Sequence, residues 1–301
     1  MSLISKAEHK RVIAAGDDVP EQRPSFALPL NEVGIAGKTV WVRLPQGLLP
    51  FNAQLAVDLA GDRRGIHMSR LEEVISDLHN QPFLDLRAYA VALGQEMVAR
   101  QNATGGTLSL HGLIPHLRKG MISGRESLDT VKISVRSRFW QKNGQLYDET
   151  MLGVEVCHIT ACPCTQVYNG ELFSAGDKAC PMPTHSQRST TRLEVQTDGP
   201  SPTCNELLAC LEGALHVTQD LLKRPDEAEI VLKSHQSPQF AEDAVRETAR
   251  WVGKNLGDKL ASNTLVCIES LSLESIHIHD VTCRLECTLG EIMDQLDNKT
   301  T

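Results

Sequence analysis

The 301-residue sequence has few aromatic side chains, no excess of basic residues and no long apolar run. Phe, Trp and Tyr together make up 4% of it, so aliphatic side chains are expected to fill the core. Lys and Arg number 30 against 38 Asp and Glu, and the net charge of −8 argues against a protein that binds nucleic-acid backbones, because such a protein needs a basic face. No segment approaches about 18 uninterrupted apolar residues, so we expect no membrane-spanning helix.

Cysteine is absent before Cys157, and the nine cysteines in the rest of the chain are an odd number. A disulfide framework uses an even number of cysteines in a secreted protein, so the thiols are expected to be free or metal-bound in a reducing compartment. The first residues also lack the apolar stretch of a secretory signal. The sequence therefore predicts a cytoplasmic protein.

Hydrophobic periodicity divides the chain into strands and helices. Apolar and polar residues alternate, as in half-buried strands, in segments 39–46, 54–61, 107–113, 130–140, 151–160, 190–199, 264–273 and 274–289. Apolar residues recur every three or four positions, as on one face of a helix, in segments 66–78, 86–101, 201–224 and 238–257.

The order of these elements is two strands, two helices and two strands, followed by approximately the same order again. This order predicts an α+β fold with antiparallel sheets and with helices packed on one face. Residues 1–38 are expected to form an irregular leader, since they are polar and contain three prolines. The turn-like sequence QKNGQLYDE, near residues 140–150, marks the expected boundary between the two halves.

A segment without either period, from Ala161 to Ser189, contains Cys162-Pro-Cys164, Cys180 and His185. Three interpretations are open. The three thiols and the imidazole could form a closed structural zinc site, since tetrahedral zinc takes four N or S ligands. One thiolate, one imidazole and one carboxylate could instead form an open catalytic site, where a fourth position holds a water molecule with a pKa near 7. The thiols could also be unrelated to any metal.

A second group of reactive residues is the segment ESIHIHD, residues 274–280. On a strand, His277 and His279 would project from the same face, with Ile276 and Ile278 on the other. Two imidazoles on one face are suited to proton transfer near neutral pH, with Glu274 beside them. One core histidine and one surface histidine would give the same pattern.

Two further segments contain charged residues that could bind an anionic or purine ligand. Lys223 and Arg224, in LLKRPDE, could bind phosphate oxygens, although they also suit the C-terminal end of a helix. His67 and Arg70 open a predicted helix in GIHMSR, and a helix N-terminus can hold an anion. Glu227 and Glu242 are unremarkable alone, although a buried carboxylate could accept two N–H bonds from a guanine-like ring edge.

Taken together, these pieces resemble the prokaryotic type IB GTP cyclohydrolases, a tunnelling-fold family that includes an archaeal-type branch. The matching segments occur in the family's order and cover both halves of the chain. They are GIHMSR (65–70), ACPCTQ (161–166), THSQRS (184–189), LLKRPDE (221–227), SPQFAED (237–243) and ESIHIHD (274–280).

The resemblance implies a role for individual residues. The metal ligands would be Cys162, His185 and Glu227, and the site would hold one divalent ion: zinc, manganese or ferrous iron. Glu242 would anchor the guanine ring. The proton-transfer residues would be His277, His279 and Glu274. The candidate residues for binding the triphosphate would be Lys223, Arg224, Arg188, Arg70 and His67.

The resemblance also implies a fold, a reaction and an assembly. The fold would be two tandem tunnelling-fold halves, residues 39–145 and 146–301, in a homotetramer with active sites at subunit interfaces. The reaction would open the imidazole ring of GTP with loss of formate and give 7,8-dihydroneopterin triphosphate, a precursor of folate-type pterins. No nucleic acid or membrane partner is implied.

The chain departs from the common bacterial pattern around the proposed metal site. Thr165-Gln166 replaces Ser-Lys, Ser186 replaces Asn, and the interval between Cys162 and His185 is longer. The archaeal-type branch, which makes a 2′,3′-cyclic phosphate of dihydroneopterin with ferrous iron, also has a long insertion here, so this product is a second possibility. Two different functions are also open: a structural-zinc module without catalysis, and a nitrile reductase of the same fold with a cysteine nucleophile.

Overall fold

A computed structural model describes residues 3–173, 180–196, 201–220 and 223–298. In this part of the chain every strand belongs to one antiparallel sheet, in which β7 pairs only with β5 and the other strands follow the order β1-β2-β3-β4-β5-β6-β8-β9. The strands are β1 (Leu30–Leu44), β2 (Gly47–Leu59), β3 (Gly105–Lys119), β4 (Glu126–Lys142), β5 (Gln145–Ala161), β6 (Ser186–Gln196), β7 (His216–Val217), β8 (Leu265–Ser272) and β9 (Val281–Thr288).

The helices are short and amphipathic or surface-exposed. None that the structure describes has the length and apolar character needed to cross a membrane. They are α1 (Lys6–Ala15), α2 (Met68–Leu78), α3 (Leu86–Arg100), α4 (Pro163–Phe173), α5 (Cys204–Ala214), α6 (Arg224–Gln236), α7 (Ala241–Leu256) and α8 (Leu289–Asp297), with a 3-10 turn at Val19–Glu21.

The predicted repeat of elements is confirmed. The first half runs β1, β2, α2, α3, β3, β4, and the second runs β5, β6, α5, α7, β8, β9, with α4, β7 and α6 as additions. The predicted turn joins the halves as a two-residue hairpin, in which Asn143 and Gly144 have φ of 54° and 77°. Because both central residues have positive φ, this turn matches the twist of the flanking strands, and the sheet continues from one half into the other.

The helices pack on one face of the sheet, as the sequence predicts. One row of paired residues crosses the sheet on this face, and all its members are buried: Ala53, Leu110, Val135, Leu152, Val195 and Val266. The opposite face is charged, with ion pairs such as Arg136–Glu194 at 2.6 Å and Arg284–Glu269 at 3.0 Å. Leucine dominates the largest fully buried side chains, as expected from the low aromatic content.

The prediction that residues 1–38 are irregular is wrong. Residues Lys6–Ala15 form a helix, and β1 begins at Leu30. Ser5 caps the helix by accepting a hydrogen bond from the backbone N–H of Glu8, at 3.2 Å. No residue of this helix is buried, which explains why its apolar periodicity is too weak to be recognised in the sequence.

The single helix predicted over 201–224 is also wrong, and Leu221 and Leu222, which it includes, lie outside the described residues. Thr203 caps α5 in a reciprocal capping box with Glu206, and α5 ends at Ala214. The chain then pairs with β5 through β7. Pro225 belongs to the first turn of α6 and does not end a helix. Because proline suits both a helix start and the residues after a helix end, the sequence could not separate these roles.

Two predicted segments near the candidate site have a different local structure. The segment 161–189 contains α4, because Pro163 occupies a favourable first helical position. The segment 274–280 is a loop and not part of a strand, since β9 begins only at Val281. For the strand predicted over 190–199, residues 197–199 lie outside the described residues.

Close approach of α3 to the sheet depends on Gly94. A Cβ atom at this position would lie 2.1 Å from the ring of Phe139 in β4. We expect Gly94→Ala to lower the free energy of unfolding by about 1–3 kcal/mol, because overpacking forces neighbouring atoms to shift. Urea denaturation would measure this change.

Gly170→Ala, in α4, is the matched control. Outside the helix itself, the added Cβ would lie near only one side chain, that of Met182, at 4.0 Å. Alanine favours a helix over glycine by about 0.5–1 kcal/mol. Gly170→Ala should therefore leave stability unchanged or raise it. Equal effects of the two variants would contradict this account of α3 packing.

Asp226 attaches the start of α6 to the loop between β3 and β4. Its Oδ1 accepts hydrogen bonds from the backbone N–H groups of Ile122 at 2.9 Å and Ser123 at 3.1 Å, and Oδ2 accepts one from Lys223 at 3.3 Å. Hydrogen bonds from the Ser123 side chain and from these N–H groups lower the pKa of Asp226 to about 2. The ionised form is therefore the one that stabilises the fold.

The stabilisation by Asp226 should depend on pH. Because its pKa in the folded protein is below the ordinary 3.8, the contribution is complete above about pH 4 and disappears as the pH falls towards 2. Asp226→Ala should therefore have a lower melting temperature than the wild-type protein at pH 7, and the difference between the two melting temperatures should become smaller between pH 4 and pH 2. Thermal unfolding of both proteins at each pH measures this difference. A difference that is constant with pH would argue against stabilisation by the ionised carboxylate of Asp226.

Candidate active site

Four segments enclose a cavity of about 270 Å³ at one end of the sheet. They are the start of α4, the start of β6, the start of α7 and the connection between β8 and β9. The lining residues are Cys162, His185, Gln187, Phe240, Ala241, Glu242, Glu274, His277, His279 and Val281. Six of these were predicted from the sequence as site residues.

Cys162 and His185 are held together although 23 positions separate them. The backbone N–H of Cys162 donates to the carbonyl of His185 at 3.1 Å, and the hydroxyl of Thr184 donates to the carbonyl of Cys162 at 2.6 Å. Pro163 starts α4 directly after Cys162, so the sulfur lies at the positive end of the helix dipole, which favours negative charge there. The hydroxyl of Thr165 donates to this sulfur at 3.7 Å.

His185 is connected to Glu274 through Gln187. The His185 Nδ1 and Gln187 Oε1 atoms lie 3.2 Å apart, and Gln187 Nε2 donates to Glu274 Oε1 at 3.0 Å. The hydroxyl of Ser272 also donates to Glu274 Oε1, at 3.0 Å. Glu274 is partly buried, so these two donors replace some of the water that a carboxylate would otherwise contact.

Glu242 reaches the cavity from the first turn of α7. The neighbouring Asp243 caps this helix, since its Oδ2 accepts the backbone N–H of Phe240 at 3.0 Å. Glu242 lines the cavity together with the ring of Phe240. Burial, and then the charge of Glu242, raise the pKa of the nearby Cys283 thiol.

The structure brings His277 and His279 together, but in a loop. Their rings stack with centroids 5.3 Å apart and planes 20° from parallel. The backbone N–H of Glu274 donates to Asp280 Oδ1 at 3.3 Å and so closes the loop. The predicted strand geometry at these residues is therefore wrong, whereas the expected proximity of the two imidazoles is correct.

Glu227, the third predicted metal ligand, lies outside this cavity within one chain. It is exposed in the first turn of α6. The other end of this helix contacts the cysteine segment, where Gln166 Nε2 donates to the carbonyl of His235 at 2.6 Å. The ligand atoms of Cys162, His185 and Glu227 do not come within 4.8 Å of one another. The carboxylates that share the cavity with Cys162 and His185 are Glu242 and Glu274.

The predicted phosphate-binding residues also lie outside the cavity. Lys223 and Arg224 are exposed at the start of α6, and Arg188 is exposed on β6. Lys223 and Arg224 do not occupy the C-terminal end of a helix, which their charges would suit, since both stand at a helix N-terminus. The helix dipole therefore does not stabilise their positive charges at this position.

His67 and Arg70 are engaged in contacts within the first half of the chain. His67 Nε2 lies 2.9 Å from Glu21 Oε1 and 3.7 Å from Asp18 Oδ2, and Arg70 donates to the carbonyl of Arg100 at 3.2 Å. The hydrogen bond from His67 lowers the pKa of Glu21. Within one chain, these two carboxylates oppose binding of an anion at the start of α2.

The structural-zinc interpretation is not supported by the described residues. Cys164 and Cys180 are exposed and do not join Cys162 and His185 in a four-ligand cluster. Among the described residues, the one group of three or more potential ligands within 4.8 Å of each other is Asp18, Glu21 and His67. There the guanidinium of Arg63, 2.9 Å from Glu21, already supplies positive charge.

Sequence reasoning missed four residues that line the cavity, Gln187, Phe240, Ala241 and Val281, and it missed Ser272, which contacts Gln187. Gln187 follows His185 by two positions and projects from the same face of β6, a period that the sequence contains. Ser272 and Phe240 carry no comparable signal, because a serine at a strand end and an aromatic residue before a helix are common features. Only the tertiary structure assigns them to the cavity region.

The residues that meet in the cavity suit a divalent metal ion. Sulfur, imidazole nitrogen and carboxylate oxygen are ligands of zinc and of other transition metals. Cys162 and His185 supply the first two types, and Glu242 and Glu274 are carboxylates within the same space. Two further imidazoles, from His277 and His279, lie where they could exchange protons with a bound molecule.

Comparison with solved structures bears on the fold. The chain is similar to the uricase from Arthrobacter globiformis, with a TM-score of 0.53, 9% sequence identity and coverage of 86% of this chain and 93% of that one. It is also similar to a mutant of Bacillus sp. TB-90 urate oxidase, with a TM-score of 0.51, 7% identity and coverage of 86% and 100%. At such low identity the likeness shows the fold alone, that of the tunnelling-fold proteins.

Comparison with sequences identifies the family. GTP cyclohydrolase MptA of Methanocaldococcus jannaschii is 31% identical over 307 residues, which cover 93% of this chain and 97% of that protein. GTP cyclohydrolase MptA of Methanococcus maripaludis strain C6 is 30% identical over 317 residues, which cover 94% and 99%. A sequence profile of type I GTP cyclohydrolase folE2 matches residues 17–283. The chain therefore belongs to the type I GTP cyclohydrolase folE2 family, and its similarity to the MptA proteins supports the archaeal-type branch.

Proposed function

We propose that the protein is a metal-dependent GTP cyclohydrolase, which opens the imidazole ring of GTP and releases formate. The observation that carries this proposal is the cavity shared by Cys162, His185, two carboxylates and two stacked imidazoles. The relatives named GTP cyclohydrolase supply the substrate class. Formation of a pterin precursor is the corresponding biological role.

Cys162 and His185 are the residues of this chain that would hold the metal ion: zinc, manganese or ferrous iron. When bound, such an ion supplies Lewis acidity that activates a water molecule near neutral pH. We propose Glu227 as the third ligand in the assembled protein only, since within one chain it lies outside the cavity. A neighbouring copy of the chain, or a movement of α6, would be needed to bring it there.

Glu242 and Phe240 are the proposed guanine-binding residues. The carboxylate of Glu242 can accept two hydrogen bonds from the N–H groups of the guanine edge, and the neighbouring ring of Phe240 offers an apolar surface for the purine. Lys223, Arg224 and Arg188 are exposed outside the cavity of one chain. Their proposed triphosphate contacts, like those of Arg70 and His67, therefore require the interfacial sites of the proposed homotetramer.

The remaining cavity residues would hold and move protons. Two water molecules are consumed: the first adds to C8 and breaks one C8–N bond, which leaves a formamide, and the second cleaves the formamide, which releases formate and an amine. His277 and His279 can deliver a proton to each nitrogen as its bond to C8 breaks. Glu274, fixed by Gln187 and Ser272, can act with this pair. The ribose carbons then rearrange and close the second ring.

The proposed product is 7,8-dihydroneopterin triphosphate. A second candidate is the 2′,3′-cyclic phosphate of dihydroneopterin, which the similarity to archaeal MptA proteins and the long interval between Cys162 and His185 favour. Both products share the ring opening and the loss of formate. Mass spectrometry of the product separates them.

The central prediction concerns turnover of GTP. We expect purified protein incubated with GTP and Fe²⁺, Mn²⁺ or Zn²⁺ to release formate and to give a fluorescent pterin after oxidation. Cys162→Ala and His185→Ala should reduce this activity to background and weaken metal binding, because each removes a ligand. Absence of formate with all three metals would overturn the proposed function.

Two further variants separate the roles of neighbouring residues. Cys180→Ala should keep activity, since Cys180 is exposed and outside the cavity. Glu227→Gln should weaken metal binding if Glu227 completes the ligand set in the assembled protein. Unchanged metal affinity in Glu227→Gln would assign the carboxylate ligand to the cavity itself.

Recognition of guanine predicts a specific loss in Glu242→Gln. An amide offers one acceptor oxygen and presents an N–H₂ group to the guanine donors, so we expect the affinity for GTP to fall by about 10- to 100-fold, equivalent to roughly 1.4–2.8 kcal/mol. Metal affinity should stay unchanged. Asp243→Asn, one residue away and directed to the helix cap, is the comparison variant. Similar GTP affinities for these two variants would refute the assignment.

A further inference from the structure

The orientation of the Gln187 side chain is fixed by its partners. Its nitrogen Nε2 lies 3.0 Å from Glu274 Oε1 and 3.2 Å from the hydroxyl of Ser272. An ionised carboxylate only accepts hydrogen bonds, so the amide must present N–H₂ to Glu274. The amide oxygen Oε1 is then the atom that faces His185, at 3.2 Å from its Nδ1.

This orientation determines which nitrogen of His185 carries a proton. An amide oxygen accepts hydrogen bonds and cannot donate them, so a hydrogen bond at this position requires the proton on Nδ1. In the neutral imidazole the other nitrogen, Nε2, is then unprotonated and has a free lone pair. Neutral imidazole nitrogens are the ones that bind metal ions.

Glu274 is in turn anchored in the buried part of the sheet. Ser272, which donates to Glu274, lies 3.1 Å from the Thr160 hydroxyl, and Thr160 lies 2.7 Å from the Ser189 hydroxyl. All three hydroxyl residues are buried, on β8, β5 and β6. The position of the carboxylate, and hence of the Gln187 amide, is therefore set by rigid strands.

We propose that Gln187 is a positioning residue: it holds His185 as the Nδ1–H tautomer, which leaves Nε2 free to bind a metal ion, and it couples His185 to Glu274. The proposal rests on the proposed function, in which His185 is a metal ligand. Gln187 itself touches neither metal nor substrate in this account. Its effect on the reaction is exerted through the two groups that it orients.

Three variants test the proposal. Gln187→Met keeps the length of the side chain and removes its hydrogen bonds to His185, Glu274 and Ser272. Gln187→Glu keeps an oxygen that accepts from His185 but loses the donor to Glu274. Gln196→Met is the matched control, because Gln196 lies on the same strand and also donates to a carboxylate, Glu149, at 2.8 Å, outside the cavity.

The first measurement uses the metal-free protein. Imidazole ¹⁵N chemical shifts should show His185 as the Nδ1–H tautomer in the unchanged protein, in Gln187→Glu and in Gln196→Met, and as a mixture of tautomers in Gln187→Met. The second measurement is titration with Co²⁺ alone, followed by the thiolate charge-transfer band of Cys162. Loss of an outer partner of a metal-binding histidine typically weakens metal binding by about 10- to 100-fold, so this loss is expected in Gln187→Met and not in Gln196→Met.

Two results would overturn the proposal: a Gln187→Met protein with an unchanged tautomer, or one with the same Co²⁺ affinity as Gln196→Met. If Gln187→Met does not fold, Gln187→Glu carries the test, since a change of its His185 tautomer would also contradict the proposal. Failure of the proposed function is distinguishable. In that case the unchanged protein releases no formate from GTP, whereas the tautomer of His185 in the metal-free protein still reports on Gln187.

Discussion

The pairing of β6 between β5 and β8 is the constraint on which the candidate site depends. Ala161, the last residue of β5, pairs with Ser186, the first of β6, and Ser189 pairs with Ser272 at the end of β8. Antiparallel neighbours place the end of one strand beside the start of the next. Cys162, His185 and Glu274 therefore emerge at the same end of the sheet, although 112 positions separate the first from the last.

The same three strands change character along their length. Towards the middle of the sheet their helix-facing residues are apolar, whereas near the cavity they are His158, Thr160, Ser189, Thr191, Ser270 and Ser272, all buried. Burial lowers the pKa of His158 to about 4, so this imidazole is neutral at physiological pH. It lies 2.8 Å from the Thr191 hydroxyl, which donates to Ser270 at 3.0 Å. Burying a hydroxyl group costs free energy unless the group is hydrogen-bonded. These side chains are hydrogen-bonded to one another, so they form a rigid polar layer next to the cavity.

A single chain supplies only part of what the proposed reaction needs. The residues proposed to bind guanine and to transfer protons meet in the cavity, but Glu227 and the cations proposed to bind the triphosphate lie elsewhere on the surface. At one of these places, Asp226 fixes the start of α6 through backbone hydrogen bonds to the β3–β4 loop. This attachment holds Lys223, Arg224 and Glu227 in a defined exposed position.

The sequence by itself determined the α+β class, the repeated order of elements, the turn at Asn143-Gly144 and the identity of most cavity residues. It could do so because period-2 and period-3.6 patterns and turn residues act locally, and because Cys162, His185, Glu242 and the histidine pair stand in recognisable motifs. The helix over 201–224 and the first seven residues of the strand over 274–289 were predicted wrongly, since pairing with β5 and the bond between Glu274 and Asp280 override local periodicity. Which of the motifs share one cavity, the exclusion of Glu227 from it, and the contact of Gln187 with both His185 and Glu274 were decided by strand register and by the positions of α6 and α7 on the sheet. Register depends on side chains far apart in the chain, so no local pattern contains it.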